Sequence, residues 1–146
     1  MIRLAAITKH NWKDCAALTV SEHQVDFVPT NLYSIAETQF YPDACPLAIY
    51  NQSDQIVGFA LYGRDDTNGK WKIFRLMIDA SHQRKGYGTA AMKQILALLA
   101  QKPDGQEVLI RYHIENDAAR HLYTQLGFVE VATEDRVVTA VFNTSL

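Results

Sequence analysis

The sequence predicts an α/β fold: a mixed, mostly antiparallel sheet with one central parallel strand pair and helices on both faces. Three observations predict it. An apolar strand pattern, Trp71–Ile78, runs through a glycine-containing loop into a helix-spaced pattern at residues 89–101, and a second strand pattern follows at 107–114. A strand–helix–strand crossover makes a parallel pair with a right-handed connection. Strand patterns at 46–50 and 56–63 flank a polar turn, and a further polar turn leads into Trp71, so the first half ends as an antiparallel meander.

In chain order, residues 2–7 read as a short first strand. Thr8 can cap a helix running to about Thr19, with Trp12, Cys15, Ala16 and Leu18 on its apolar side. Residues 25–30 read as a proline-containing loop. Asn31 then caps a second helix over 32–40, with Leu32, Ile35 and Ala36 inward and Tyr33 and Glu37 one turn apart on its flank. Pro103 and Gly105 stop the central helix, whose apolar positions are Met92, Ile95, Leu96 and Leu99. Asn116 caps a last helix, Asp117–Leu126, which Gly127 ends. Residues 128–133 and 137–143 read as a closing hairpin. The 146 residues fit one domain, 1–146, and 48% apolar content suffices for its core.

A formal charge of −2 lacks the basic excess of a nucleic-acid binder. No stretch approaches the roughly 20 apolar residues of a membrane span, and residues 1–8 lack the apolar run of a signal peptide. Cys15 and Cys45 have neither metal spacing nor a CxxC pattern. The expectation is a cytoplasmic protein with two reduced thiols. His82, His113 and His121 show no metal spacing and read as ordinary surface or strand residues, so no metal is expected.

The loop between Trp71–Ile78 and the central helix has the build of an anion site. Backbone N–H groups are unpaired at a helix start, and the helix dipole favours negative charge there. Gly86 and Gly88 remove side chains where a phosphate must come close, and Arg84 and Lys85 add positive charge. The loop is no P-loop, because no Gly-Lys-Ser/Thr run follows a glycine at the required spacing. A dinucleotide fingerprint would place its third glycine at Ala91, and it belongs to the first strand and helix of a larger wound sheet. What remains is Gln-x-x-Gly-x-Gly at Gln83, Gly86 and Gly88, or a glycine turn with no ligand.

That pattern resembles the acetyl-CoA loop of the GNAT N-acetyltransferase superfamily. A second segment, from Asn116 through Ala119, Leu122, Tyr123 and Gly127 to Phe128, resembles that family's other signature. The order of strands and helices fits the same fold from end to end. Arg84 and Lys85 after the glutamine depart from many loops of the family but leave Gln83, Gly86 and Gly88 intact. The resemblance implies acetyl-CoA as cosubstrate. It implies a pantetheine arm paired with Leu76, Met77 and Ile78, and phosphates held by Gln83, Arg84, Lys85, Gly86, Tyr87, Gly88 and Thr89. Asn116 and Arg120 complete the implied cofactor contacts, and Tyr123 is the implied proton donor. The stretches at 25–37, 48–50, 58–63 and 75–79 further resemble bacterial diamine and spermine/spermidine acetyltransferases. That narrows the implied acceptor to a polyamine or diamine, with Asp26, Phe27, Tyr33 and Glu37 as its contacts.

The reaction sets its own requirements. An alkyl amine of pKa about 10.4 arrives protonated and must lose a proton before it attacks a thioester. The departing thiolate needs a proton, which a tyrosine can give, and the developing oxyanion needs fixed N–H donors. Tyr123 lies beside the apolar row Ala118, Leu122 and Leu126. It is either that donor or a core tyrosine bonded to backbone. Asn116 serves as helix cap, pantetheine contact or both. Glu22, Asp26, Glu37 and Glu115 are candidates for the base, as is ordered water. The competing functions are acetylation of another small amine such as an antibiotic or amino acid, acetylation of a protein amine, and an acyl-CoA sensor without turnover. A homodimer is a possible assembly.

Overall fold

The computed structural model describes residues 1–145. Seven strands form one sheet in the order β1-β2-β3-β4-β5-β7-β6. They are β1 (Ile2–Ala6), β2 (Cys45–Asn51), β3 (Ile56–Arg64), β4 (Trp71–Ile78), β5 (Glu107–His113), β6 (Val129–Glu134) and β7 (Val137–Asn143). All neighbours are antiparallel except β4 and β5. The predicted sheet, its parallel pair and the helices on both faces are therefore present.

The helix α3 (Tyr87–Ala100) makes the crossover between the parallel strands. It buries Tyr87, Ala91, Met92, Ile95, Leu96 and Leu99, one stripe at helical spacing, against Val57, Ile73, Val108 and Ile110. The helix α4 (Asp117–Leu126) lies on the same face and adds Leu122, Tyr123 and Leu126 to that core. The short helices α1 (Trp12–Ala16) and α2 (Asn31–Glu37) cover the opposite face, where Cys15 packs with Phe59, Leu61 and Met77. Burial there pushes the Cys15 thiol up to about 12, and both cysteines are free.

The first helices depart from the sequence reading. α1 has only five residues, because Asn11 turns back on Thr8: the Thr8 N–H donates to Asn11 Oδ1 at 2.7 Å and the chain leaves helix geometry after Ala17. Trp12, read as inward, is exposed, and Leu32 and Ala36 are exposed on α2. Residues Glu22–Phe27, of which 25–27 read as the start of a loop, wind into a tight 3-10 helix with a Ser21/Gln24 capping box. The α2 cap is Thr30, whose side chain accepts from the Tyr33 N–H at 3.1 Å. Asn31 is instead buried, donating to the Cys15 carbonyl at 2.8 Å. A polar residue at either position satisfies the cap rule, and the buried acceptor on α1 decides which one turns inward.

Candidate active site

Three features of β4 open a groove in the middle of the sheet. First, β4 pairs with β5 only at Trp71↔Val108, Lys72↔Leu109 and Ile73↔Ile110. Second, Phe74 is an extra residue in the β3 register, which steps from Tyr62↔Ile73 to Leu61↔Arg75. Such a bulge increases local twist and turns the strand. Third, β5 continues along β7 through Arg111, Tyr112 and His113 and leaves β4 behind. The edge of β4 beyond Ile73 is thereby uncovered.

Strand alternation fixes which backbone groups face the gap. The Asp79 N–H donates to the Val57 carbonyl at 2.8 Å, so Asp79, Met77 and Arg75 aim their polar groups at β3. Leu76 and Ile78 aim theirs the other way. The Ile78 carbonyl accordingly accepts the Gln83 side-chain amide at 2.9 Å.

The loop after β4 is held from several sides. Asp79 accepts from the Thr19 N–H at 2.9 Å and the Ser81 N–H at 3.2 Å. Gln83 also donates to Gln24 Oε1 at 2.9 Å and accepts from Ser21 Oγ at 3.1 Å. Its side chain is thus a brace between the loop, β4 and the 3-10 turn, with its polar atoms already engaged. Arg84 and Gly86 both sit in the left-handed region, at φ 65° and 80°. For Arg84 this conformation costs about 1 kcal/mol. Paired with right-handed neighbours, such residues make successive N–H groups converge on an anion. Gly86 starts α3 without a side-chain cap, and the first helical bond is Ala90 N–H to the Gly86 carbonyl. The amides of Tyr87, Gly88 and Thr89 remain open to a ligand.

The groove holds about 430 Å³. Leu76–Ile78, Gln83, Arg84, Gly86–Thr89 and Asn116, all expected cofactor contacts, line it. Val20, Gln24, Val28, His82 and His121 line it too; the two histidines were read as ordinary residues. A second compartment of about 140 Å³ opens beyond it between the diverging strands. The two share Val28, Leu76, Asn116, Ala119 and Tyr123 as walls.

Tyr123 therefore stands at the junction. It is 6% exposed, between Tyr112 and Phe128 with ring centroids 5.6 and 5.7 Å away. Its hydroxyl makes no hydrogen bond to another described residue, the opposite of a core tyrosine tied to backbone. Burial, and then the neighbouring Tyr112, push its pKa well above the usual tyrosine value, so it carries its proton at neutral pH. Asn116 combines two positions: its Oδ1 accepts from the Ala119 N–H at 3.2 Å as the α4 cap, and the residue lines both compartments.

Other expected site residues lie elsewhere. Arg120 turns to β6 and pairs with Glu130 at 2.8 Å, away from the groove. Glu130 also accepts from the Tyr112 hydroxyl at 2.8 Å. Lys85 is exposed and lines neither compartment. Of the four expected acceptor contacts, Phe27 lines the inner compartment and stacks on His113 at 5.5 Å. Asp26 and Tyr33 are exposed outside it. Glu37 does not present a free carboxylate, since Arg75 of β4 pairs with it at 3.3 Å. The sequence reading missed Arg75 and Arg111, the two charged residues of the inner wall. The signal was present: a lone arginine interrupts the otherwise apolar run Ile73–Ile78.

These features fit an acyl-CoA. Amides converge on a phosphate site, an uncovered strand edge offers partners to an amide-bearing arm, and Gly88 stands where a side chain would narrow the gap. A Cβ there would lie 3.7 Å from Ile78 Cγ1 and 3.8 Å from Leu122 Cδ2, both groove residues. Among the described residues no group of three or more His, Cys, Asp or Glu could hold a metal ion, and no helix is long and apolar enough to cross a membrane.

Comparisons with known proteins agree with this geometry. The acetyltransferase (GNAT) family model matches residues 10–128. The spermine/spermidine N(1)-acetyltransferase of Bacillus subtilis is 29% identical over 136 residues, 87% of each chain. Among solved structures, the spermidine N-acetyltransferase of Vibrio cholerae, in complex with CoA and spermine, superposes with a TM-score of 0.78 over 99% of this chain and 96% of that one, at 15% identity. The ribosomal-protein-S18-alanine N-acetyltransferase of Escherichia coli gives 0.75 over 100% and 96%, at 17% identity. At those identities the two structures speak for the fold.

Proposed function

We propose, from the premise that the chain belongs to the GNAT acetyltransferase family, that it transfers the acetyl group of acetyl-CoA to a primary amine of a polyamine, with Tyr123 as the proton donor. Family membership makes it an acetyl-CoA-dependent amine N-acetyltransferase. The polyamine acceptor rests on the Bacillus subtilis relative. The observation that carries the mechanism is the unbonded Tyr123 hydroxyl at the junction of the two compartments.

Acetyl-CoA supplies an activated acyl group as a thioester. The chain's own residues do the rest. The amides of Tyr87, Gly88 and Thr89, with the α3 dipole, bind phosphate. The free edge of β4 at Leu76 and Ile78 orients the arm, and the Leu76 N–H faces the gap where an acyl oxygen gains negative charge. Asn116, fixed as a helix cap, offers its side-chain amide to the same gap. Tyr123 is held protonated by burial and gives its proton to sulfur. The acceptor enters from the side of α2 and the 3-10 turn, over Phe27 and His113. Asp26, exposed beside Phe27, stands on that rim as a partner for a distant ammonium group.

Thiol release from acetyl-CoA with a panel of amines tests the reading. Spermidine and spermine should support release and yield acetylated products. Release with a neutral or anionic amine alone would replace the polyamine, and no release with any amine would leave a binding module.

A further inference from the structure

The acceptor compartment has no carboxylate in its wall. Its charged lining residues are Arg75 and Arg111. Glu37 of α2 pairs with Arg75, and Asp65, buried in the β3–β4 turn, pairs with Arg111 and lies 3.8 Å from Lys72 Nζ. Neither carboxylate reaches the lining. Arg75 Nε is buried without a partner. A reacting amine with a pKa of about 10.4 would enter this place as a cation among cations.

We infer that the pocket selects the acceptor as a neutral amine: Arg75 and Arg111 oppose entry of the ammonium form, which gives its proton to water, so no carboxylate base is needed beside Tyr123. The inference rests on the acetyl-transfer reading above. The neutral nitrogen then forms the C–N bond as the C–S bond breaks. Tyr123 protonates the sulfur, and the surplus proton on nitrogen returns to the Tyr123 oxygen through water.

Lys72 is an internal precedent. It carries a primary alkylammonium in this same cluster, and its pKa is lowered, by burial first, then by Arg111, with Arg75 adding to the effect against Asp65 and Asp66. The other groups facing the compartment do not reverse the sign. Tyr112 is pushed up to about 12 by burial and its bond to Glu130, and Tyr123 is higher still, so both are neutral. His113 packs against Phe27 and is not part of the wall. Asp26 is exposed, and Glu115 pairs with Arg136; neither lines the wall. Neutral nitrogen inside and the exposed Asp26 outside suit a polyamine, which must react at one amine while its others stay charged.

The pH dependence of kcat, measured with butylamine and with spermidine, tests this through two variants of opposite sign. In the wild type the midpoint of the rising limb should fall below the free amine's value of about 10.4. Arg75→Gln should raise it, with turnover down about tenfold near neutral pH and regained in base, a shift of one pH unit. Glu37→Gln should lower it and raise turnover near neutral pH. If Arg75→Gln does not fold, Arg75→Gln with Glu37→Gln should still titrate above Glu37→Gln alone. Calorimetry of butylamine binding to the CoA-loaded protein in two buffers at about pH 8 should show close to one proton released per amine bound. Midpoints unmoved by either variant, binding without proton release, or loss of turnover at every pH in Glu37→Gln would overturn the inference, the last by making Glu37 the base. No transfer to any amine would overturn the transferase reading beneath it.

Discussion

Gly88→Val separates binding from folding at the phosphate loop. Gly88 lies in the first turn of α3, outside the left-handed region. Its Cβ would make only ordinary contacts, 3.7 Å to Ile78 and 3.8 Å to Leu122. Replacing a helical glycine gains up to about 1 kcal/mol of backbone entropy, and a β-branched residue returns part of that, so stability should change by less than about 1 kcal/mol. Gly86 is a poorer target, because its φ of 80° strains any L side chain. The valine methyls at position 88 stand between the two groove walls, beside the open amides of Tyr87, Gly88 and Thr89. Losing one charge-assisted hydrogen bond from such an amide costs about 1.5–3 kcal/mol. CoA affinity should therefore fall about 10- to 100-fold. Calorimetry with CoA gives the affinity, and thermal unfolding gives the stability. A folded Gly88→Val protein with wild-type affinity would remove this loop from the cofactor site.

Two further outcomes follow from the same geometry. Gln83→Ala removes three hydrogen bonds that join the loop to β4 and the 3-10 turn. At about 1 kcal/mol each, and about 3 °C per kcal/mol at this size, Tm should fall by roughly 9 °C and CoA affinity with it; an unchanged Tm would deny the brace. Asp65 gives an acid limb: burial raises its pKa, but hydrogen bonds from Thr67 and Arg111 and the Arg111 charge outweigh that and hold it far below the usual carboxylate range. A depressed folded pKa stabilises above the unfolded value of about 3.9 and is lost as pH falls below it. Asp65→Asn should cost about 2 kcal/mol at neutral pH and flatten the loss of stability below about pH 4, as urea unfolding across that range would record.

Much of this architecture is written locally. The mostly apolar run Trp71–Ile78, the stripe Met92, Ile95, Leu96 and Leu99, and the Asn116 cap with Gly127 as stop each depend on neighbours a few residues away, and each stands where the pattern put it. The groove loop was legible for the same reason. The acceptor side was not. Whether Glu37 is free depends on Arg75, 38 positions along the chain, and whether Arg120 reaches the cofactor depends on Glu130 across a strand. Such pairings are set by register and by the Phe74 bulge, which no periodicity reveals. The choice of Thr30 over Asn31 as cap likewise turned on a carbonyl of α1 that the local sequence does not display.

The turnover and CoA affinity of Tyr123→Phe test the account most directly. The substitution keeps the ring packed between Tyr112 and Phe128 and removes only the hydroxyl at the junction of the compartments. The account predicts that kcat falls by roughly 10²- to 10⁴-fold, the range for a positioned acid, while the Kd for CoA stays within about twofold. Near-normal turnover in a folded Tyr123→Phe protein would contradict it and reduce Tyr123 to packing.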